Sequence, residues 1–222
     1  MRYGKKHQSG KFRRLIVRSV RRSFRRRRGR NLAMLSVAVL ALTAAGTVMV
    51  YQMRHTTINP AAYVPLLNTI AQGESNGNYN AYFGNSGNVD IRFTDMTIEQ
   101  VLQWQQQYVQ QGSVSNAVGR YQIIQPTLQG LVQSLGIRTD ARFDSRLQDR
   151  MAIALLERRG SIAFVNKTLT REQFAANIAK EWAALPRVLG PDPDESYYAG
   201  DGINTSRISI SQVYGALGNL KK

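Results

Sequence analysis

Apolar residues recur at helical spacing in several blocks of the chain, and each block carries its own start and stop signals. Val64, Leu67, Ile70 and Ala71 form a stripe behind Asn59-Pro60, an N-cap followed by proline at the first helical position. That stripe ends near Gly73 and Glu74. Thr97 with Gln100 makes a capping box before IEQVLQWQQQYVQQG, which Gly112 stops. Pro126 opens PTLQGLVQSLG, and Asp144 opens SRLQDRMAIALLERRG. A second box, Thr170 with Gln173, opens FAANIAKEWAAL, which Pro186 stops. SISQVYGALGNL is a weaker last helix, and PRVLGPDPDESYYAGDG before it is a long loop. Residues 79–95, YNAYFGNSGNVDIRFTD, depart from the helical period. Two short β-prone runs flank Gly-Asn-Ser-Gly-Asn there, which predicts a small β-hairpin. Helices around one hairpin predict an α+β, mainly α, domain over residues 56–222, large enough to bury a core without cross-links. Phe143, Leu147, Met151, Ile153, Ala154 and Leu155 are its expected supporting helix.

Upstream the pattern changes twice. Leu32 to Tyr51 is an uncharged apolar run, which as a helix spans roughly 30 Å, the thickness of a bilayer core. It predicts one transmembrane helix over residues 32–53, a signal anchor in contact with the lipid bilayer. The rival reading is a cleaved signal peptide, for which Leu42–Gly46 offers small residues and Arg21–Phe24 a loose twin-arginine pattern. Residues 1–31 hold 14 of the 30 Lys and Arg and no acid. That leaves 16 basic side chains against all 14 acidic ones in the rest of the chain, so the formal charge of +16 describes a tail. Basic residues before the span keep that end cytoplasmic, or inside a virion, and put residues 56–222 on the far side, periplasmic in a cell. Phe12, Leu15, Ile16, Val20 and Phe24 recur at helical spacing within the tail. Its candidate partners are anionic lipid and nucleic acid, and the plainer reading is a tail that only sets orientation.

The chain has no Cys, which excludes a disulfide framework and a thiolate metal site. Its two histidines, His7 and His55, lie outside the predicted domain, which excludes a histidine-based catalytic pair or metal centre inside it. No metal or cofactor is expected. Attention falls on Glu74, where an apolar helix ends on an acid and passes into SNGNYNAY. An acid at a helix C-terminus meets the negative end of the dipole. Shaded by aromatics, it holds its proton near neutrality and can donate it to a leaving oxygen. Tyr79, Tyr82, Phe83 and Tyr121 are available as shade and as sugar platforms. The plain alternative is a solvated acid.

The order of segments adds to this. ESNGNYNAY, then Phe93-Thr94-Asp95, Gly119-Arg120-Tyr121-Gln122, Glu157 to Gly160, and Trp182 to Pro186 resemble the lysozyme-like lytic transglycosylases, and among them the phage lambda-type endolysins. The resemblance covers about residues 64–190, with Ser196–Gly202 as a continuation; residues 1–55 lie outside it. It implies a lysozyme-like domain acting on peptidoglycan glycan strands, at the β-1,4 bond between N-acetylmuramic acid and N-acetylglucosamine. Glu74 would be the catalytic acid and then base, and the product would carry a 1,6-anhydro ring. Ser75, Tyr79, Tyr121, Gln122 and Trp182 would bind substrate: Ser75 by orienting the carboxyl, or else it only caps a turn; Gln122 by bonding an acetamido group; Tyr121 and Trp182 by lining the groove, or else they pack in the core. Two other readings stay open. If Asp90 or Asp95 faces Glu74, the enzyme is a muramidase that uses water. If neither chemistry operates, the domain is a structural part of a virion or secretion complex. A tethered enzyme of this kind suits local wall opening, by a virion-associated lysin or during secretion-system assembly.

Overall fold

Asn59 caps the first helix of the structure, a computed structural model that describes residues 57–221. Its side-chain oxygen accepts from the Ala61 amide at 3.0 Å, and α1 runs Pro60–Ser75. The buried face of α1 is Tyr63, Leu66, Leu67, Ile70 and Ala71. Val64, which the sequence pattern assigned to that face, is exposed, so the stripe is rotated by about one position. The helix ends on Asn76 in the left-handed region (φ 53°), and the Gly77 amide returns to Ala71 O at 3.0 Å. Asn tolerates that conformation, which explains the abrupt passage into loop.

Six further α-helices follow among the described residues: α2 Ile98–Gln110, α3 Gln125–Ser134, α4 Ser145–Arg158, α5 Ser161–Val165, α6 Arg171–Ala179 and α7 Ile210–Leu217. Both predicted capping boxes are formed, and Asp144 caps α4. A third box, Ser209 with Gln212, opens α7. α1 packs on α4 and α7, α2 on α3, and the short α5 bridges α4 and α6. The core gathers Tyr63, Leu66 and Ile70 from α1, Met151, Leu155 and Leu156 from α4, and Phe174 and Ile178 from α6. Along α4, Ala152 and Leu156 are buried, while Leu147, Ile153 and Ala154 are half-buried. α5 was not predicted, because Gly160 reads as a stop; here it both ends α4 and, at φ 106°, turns the chain into α5. α6 ends at Ala179 rather than at Pro186, so Trp182 lies in the turn beyond it.

The predicted hairpin is not formed. Among the described residues there is no named strand, and residues 79–95 hold an isolated bridge between Tyr82 and Asn85 and a 3₁₀ turn, Phe93–Asp95. The domain is therefore mainly α, without the β component expected. Asparagine side chains take the bonds a ladder would have made. Asn78 Nδ2 donates to Ser86 O at 2.9 Å and Asn88 O at 2.8 Å. Asn88 Nδ2 donates to Asn80 O at 2.6 Å and Ile91 O at 2.7 Å, while its Oδ1 accepts from the Asp90 and Ile91 amides. Asn80 Oδ1 accepts from the Thr94 amide at 2.9 Å. Local side-chain bonds of this kind compete with a ladder and here replace it.

The described residues belong to one compact unit, Thr56–Lys222. No helix among them is long and apolar enough to cross a membrane. The basic tail of residues 1–31 and the transmembrane helix read over residues 32–53 lie outside the described residues.

Candidate active site

The last turn of α1 brings Glu74 to a cleft of about 860 Å³, lined also by Tyr82, Phe83, Tyr121, Gln122, Trp182 and Arg207. Burial pushes the carboxyl from its ordinary value of 4.5 up to about 7. Two opposing influences are smaller: the Ala184 amide donates to Oε1 at 2.9 Å, and the charge of Arg207 favours the carboxylate. Arg207 itself donates from one guanidinium nitrogen to Gly73 O at 3.1 Å, at the C-terminal end of α1. A carboxyl balanced in this way exchanges its proton near neutral pH, as a general acid and base must.

The Gly119–Gln122 segment is a tight turn that brings Tyr121 and Gln122 to the cleft. Val118 and Ile123 exchange backbone bonds at 3.2 and 2.9 Å across its base. Gly119 stands at φ 77° with Gln148 and Phe143 packed where a Cβ would project, so only glycine fits. Gln122 adopts φ 46°, an unusual conformation for a residue with a side chain, and one that recurs at ligand sites. Its Nε2 donates to Gly119 O at 2.9 Å, and the residue lines the cleft. Two buried glutamines splint the turn. Gln148 accepts from the Arg120 amide at 2.9 Å and donates to Tyr79 O and Phe143 O; Gln105 donates to Ile123 O at 2.8 Å and Asn116 O at 2.9 Å.

Tyr121 lines the cleft, and its hydroxyl donates to Asp149 Oδ1 at 2.6 Å. Tyr79 donates to the same carboxylate at 2.9 Å, and the Arg120 guanidinium covers its ring at 4.8 Å from the centroid. Burial and the Asp149 acceptor raise both phenols, which therefore stay protonated. Two of the residues expected to contact substrate are not among those lining the cleft. Tyr79 has its hydroxyl and one ring face occupied and does not line the cleft. Ser75 is buried, with its hydroxyl 2.7 Å from Arg120 O, so it ties α1 to the turn instead of meeting sugar. Tyr121, Gln122 and Trp182 do line the cleft beside Glu74. The Trp182 indole is almost wholly buried and donates to Tyr121 O at 3.2 Å, tying the turn after α6 to the Gly119–Gln122 turn.

The acids considered as partners for Glu74 are elsewhere. Asp90 is exposed, and Asp95 is exposed and paired with Arg92 and Arg142; neither lines the cleft. The cleft's other carboxylates are Glu181 and Asp201. Glu181 is gripped by Arg158 at 3.0 Å and Arg159 at 2.8 Å, and Asp201 accepts from the Ile203 and Asn204 amides of its own turn. Sequence reasoning missed Ala184, Arg207, Gln148 and Asp149. Ala184 acts through its backbone, which leaves no side-chain signal. Gln148 and Asp149 offered only a weak one, as adjacent polar positions in a helix with many apolar residues, and Gln148 is fully buried in the structure.

A family model described as Endolysin matches residues 64–199, more than half of the chain. No curated protein matches the sequence. Among solved structures, bacteriophage lambda lysozyme complexed with a chitohexasaccharide is similar over 75% of this chain and 99% of that one, at 19% identity and a TM-score of 0.46.

Proposed function

This chain belongs to the endolysin family, lysozyme-like enzymes that lyse peptidoglycan, and from that premise we propose that its domain is a lytic transglycosylase with Glu74 as the reacting group. Glu74 first protonates the glycosidic oxygen between N-acetylmuramic acid and N-acetylglucosamine, and the C1–O bond breaks. The resulting carboxylate then takes the proton of the muramoyl C6 hydroxyl, whose oxygen bonds to C1 and closes a 1,6-anhydro ring. No water is consumed, so the second carboxylate of the common glycosidase scheme is not needed. The observation that carries the reading is the carboxyl at about 7 on a sugar-sized cleft, with the other cleft acids engaged elsewhere. Tyr121, Gln122 and Trp182 line the path of the glycan, and Ser75 and Tyr79 brace it from behind.

Digestion of purified sacculi followed by mass spectrometry tests the proposal. Anhydro-ended muropeptides are expected, and reducing ends in their place would mean a water-using muramidase. Asp201 is the one observation that favours that second reading. It lines the cleft, and bonds from the Asn204 and Ile203 amides lower its carboxyl and keep it ionised, although the same bonds weaken it as a base toward water. Glu74→Gln is expected to lower turnover by roughly 10²–10⁴-fold; full activity in that variant excludes Glu74 as the acid.

We further propose that residues 32–53 tether the enzyme to a membrane, with the tail of residues 1–31 on the cytoplasmic or virion-interior side and the domain facing the wall. The uncharged run and the adjoining basic cluster support this. The full chain is expected in the membrane fraction, and a chain lacking residues 1–53 in the soluble fraction; equal partition of both overturns the tether.

A further inference from the structure

Gly73 sits inside the last turn of α1 with ordinary helical backbone, so its conformation does not call for glycine. Glycine is a poor helix former, and its retention there points to a need for space. A Cβ on residue 73 would lie 2.8 Å from Ala184 Cβ and 2.8 Å from Ile208 Cγ1, closer than packed carbons approach. Neither opposing atom is the free end of a flexible chain, so one segment would have to retreat.

What the close approach achieves is visible in the bonds around it. The Ala184 amide reaches Glu74 Oε1 at 2.9 Å. The Ala184 carbonyl accepts from the Arg207 amide at 2.9 Å and the Ile208 amide at 3.2 Å. The Arg207 guanidinium crosses back to Gly73 O at 3.1 Å. Three segments, the end of α1, the turn after Trp182 and the strap before α7, therefore close into one clasp. Its centre is the bare α-carbon of Gly73, and its business end is an N–H aimed at the reacting carboxyl.

We infer that Gly73 is a positioning residue for Glu74: by admitting Ala184 and Ile208 against the helix backbone, it holds the Ala184 amide on the carboxylate and so sets the pH range in which the acid can give up its proton. The clasp bonds the ionised form, so opening it favours the protonated form. Arg207 is the charged side chain whose field is felt at Glu74, and it is kept in every variant below. The remaining charged groups of the cleft, Arg158, Arg159, Lys180, Glu181 and Asp201, are likewise untouched. The inference gives Glu74 its regulation and rests on the reading of Glu74 as the reacting group only for its consequence in turnover.

The test is Gly73→Ala in the full-length protein, followed by the ¹³Cδ titration of Glu74 and by the pH profile of sacculus cleavage. The Glu74 midpoint is expected to rise by about one pH unit. The alkaline fall of kcat/KM moves up with it, and KM changes little. Adding Ala184→Gly and Ile208→Ala removes the two opposing carbons and keeps the amide; the midpoint is expected to return toward that of the unmodified chain. A Gly73→Ala protein that folds with an unshifted midpoint overturns the inference. If Gly73→Ala does not fold, the unmodified protein decides. Its Ala184 amide resonance is expected to titrate with the Glu74 midpoint, and an Ala184 amide that ignores the titration overturns the inference. Both titrations are read without substrate, so a protein that cleaves no sacculi would remove the proposed function and leave this coupling standing.

Discussion

Glu74 gives up its proton at a cost to the fold. Its carboxyl titrates near 4.5 when unfolded and near 7 in the folded domain, because burial disfavours the charge. Between those values the folded chain binds the proton more tightly, so this contribution to stability is complete below the lower value and is lost as the pH rises through the upper one. The full difference is about 3 kcal/mol. Glu74→Gln keeps the acceptor for the Ala184 amide and removes the charge. Denaturation is therefore expected to find it more stable than the parent at about pH 8, by up to that amount, with the gap shrinking toward zero near pH 4. Equal stability at alkaline pH would mean that the carboxyl is not desolvated. The acid was legible because it ends an apolar helix among loop residues and aromatics. Its partners were not. A backbone amide has no letter of its own, and Arg207 reads as one more cation until the strap before α7 folds it against α1.

Among the elements, the helices were read well and the segment between α1 and α2 was not. Caps decide this: Asn59, Thr97, Asp144 and Thr170 bond the amides that a helix start leaves open, and all four act as their letters suggest. Residues 79–95 look like a hairpin because tyrosine, phenylalanine, valine and isoleucine flank a Gly-Asn turn. Alternation says nothing about side-chain amides that capture the backbone first. Asn88 is buried and holds four such bonds, two given and two received. Asn88→Ala is expected to cost about 2–4 kcal/mol, since it removes four bonds at once from part-buried carbonyls and amides. Urea denaturation checks the loss. Tyr82 and Phe83 of the same segment line the cleft, so a rise in KM is expected with it. An Asn88→Ala protein of undiminished stability would show that water replaces those bonds.

For the molecule as a whole, charge was the plainest signal in the sequence, and it divides the chain rather than describing the domain. All the acids lie beyond residue 31, where they nearly match the bases that remain. The tether proposed for residues 32–53 and the tail before it separate by salt. Electrostatic adhesion of the tail weakens as ionic strength rises, whereas an apolar span does not. The full chain is therefore expected to stay with membranes through a high-salt wash, and release by salt would leave adhesion of the tail as the whole of the attachment.

The asparagine-held lobe has a consequence for crowding. Enzymes gathered on one surface meet their own copies often, and a flat exposed strand edge is the usual template on which such copies zip together. Between Asn78 and Thr94 the main-chain donors and acceptors named above are already bonded to carboxamides. Those groups are not free to extend a neighbour's strand, so dense arrays of the protein have one less route to clumping.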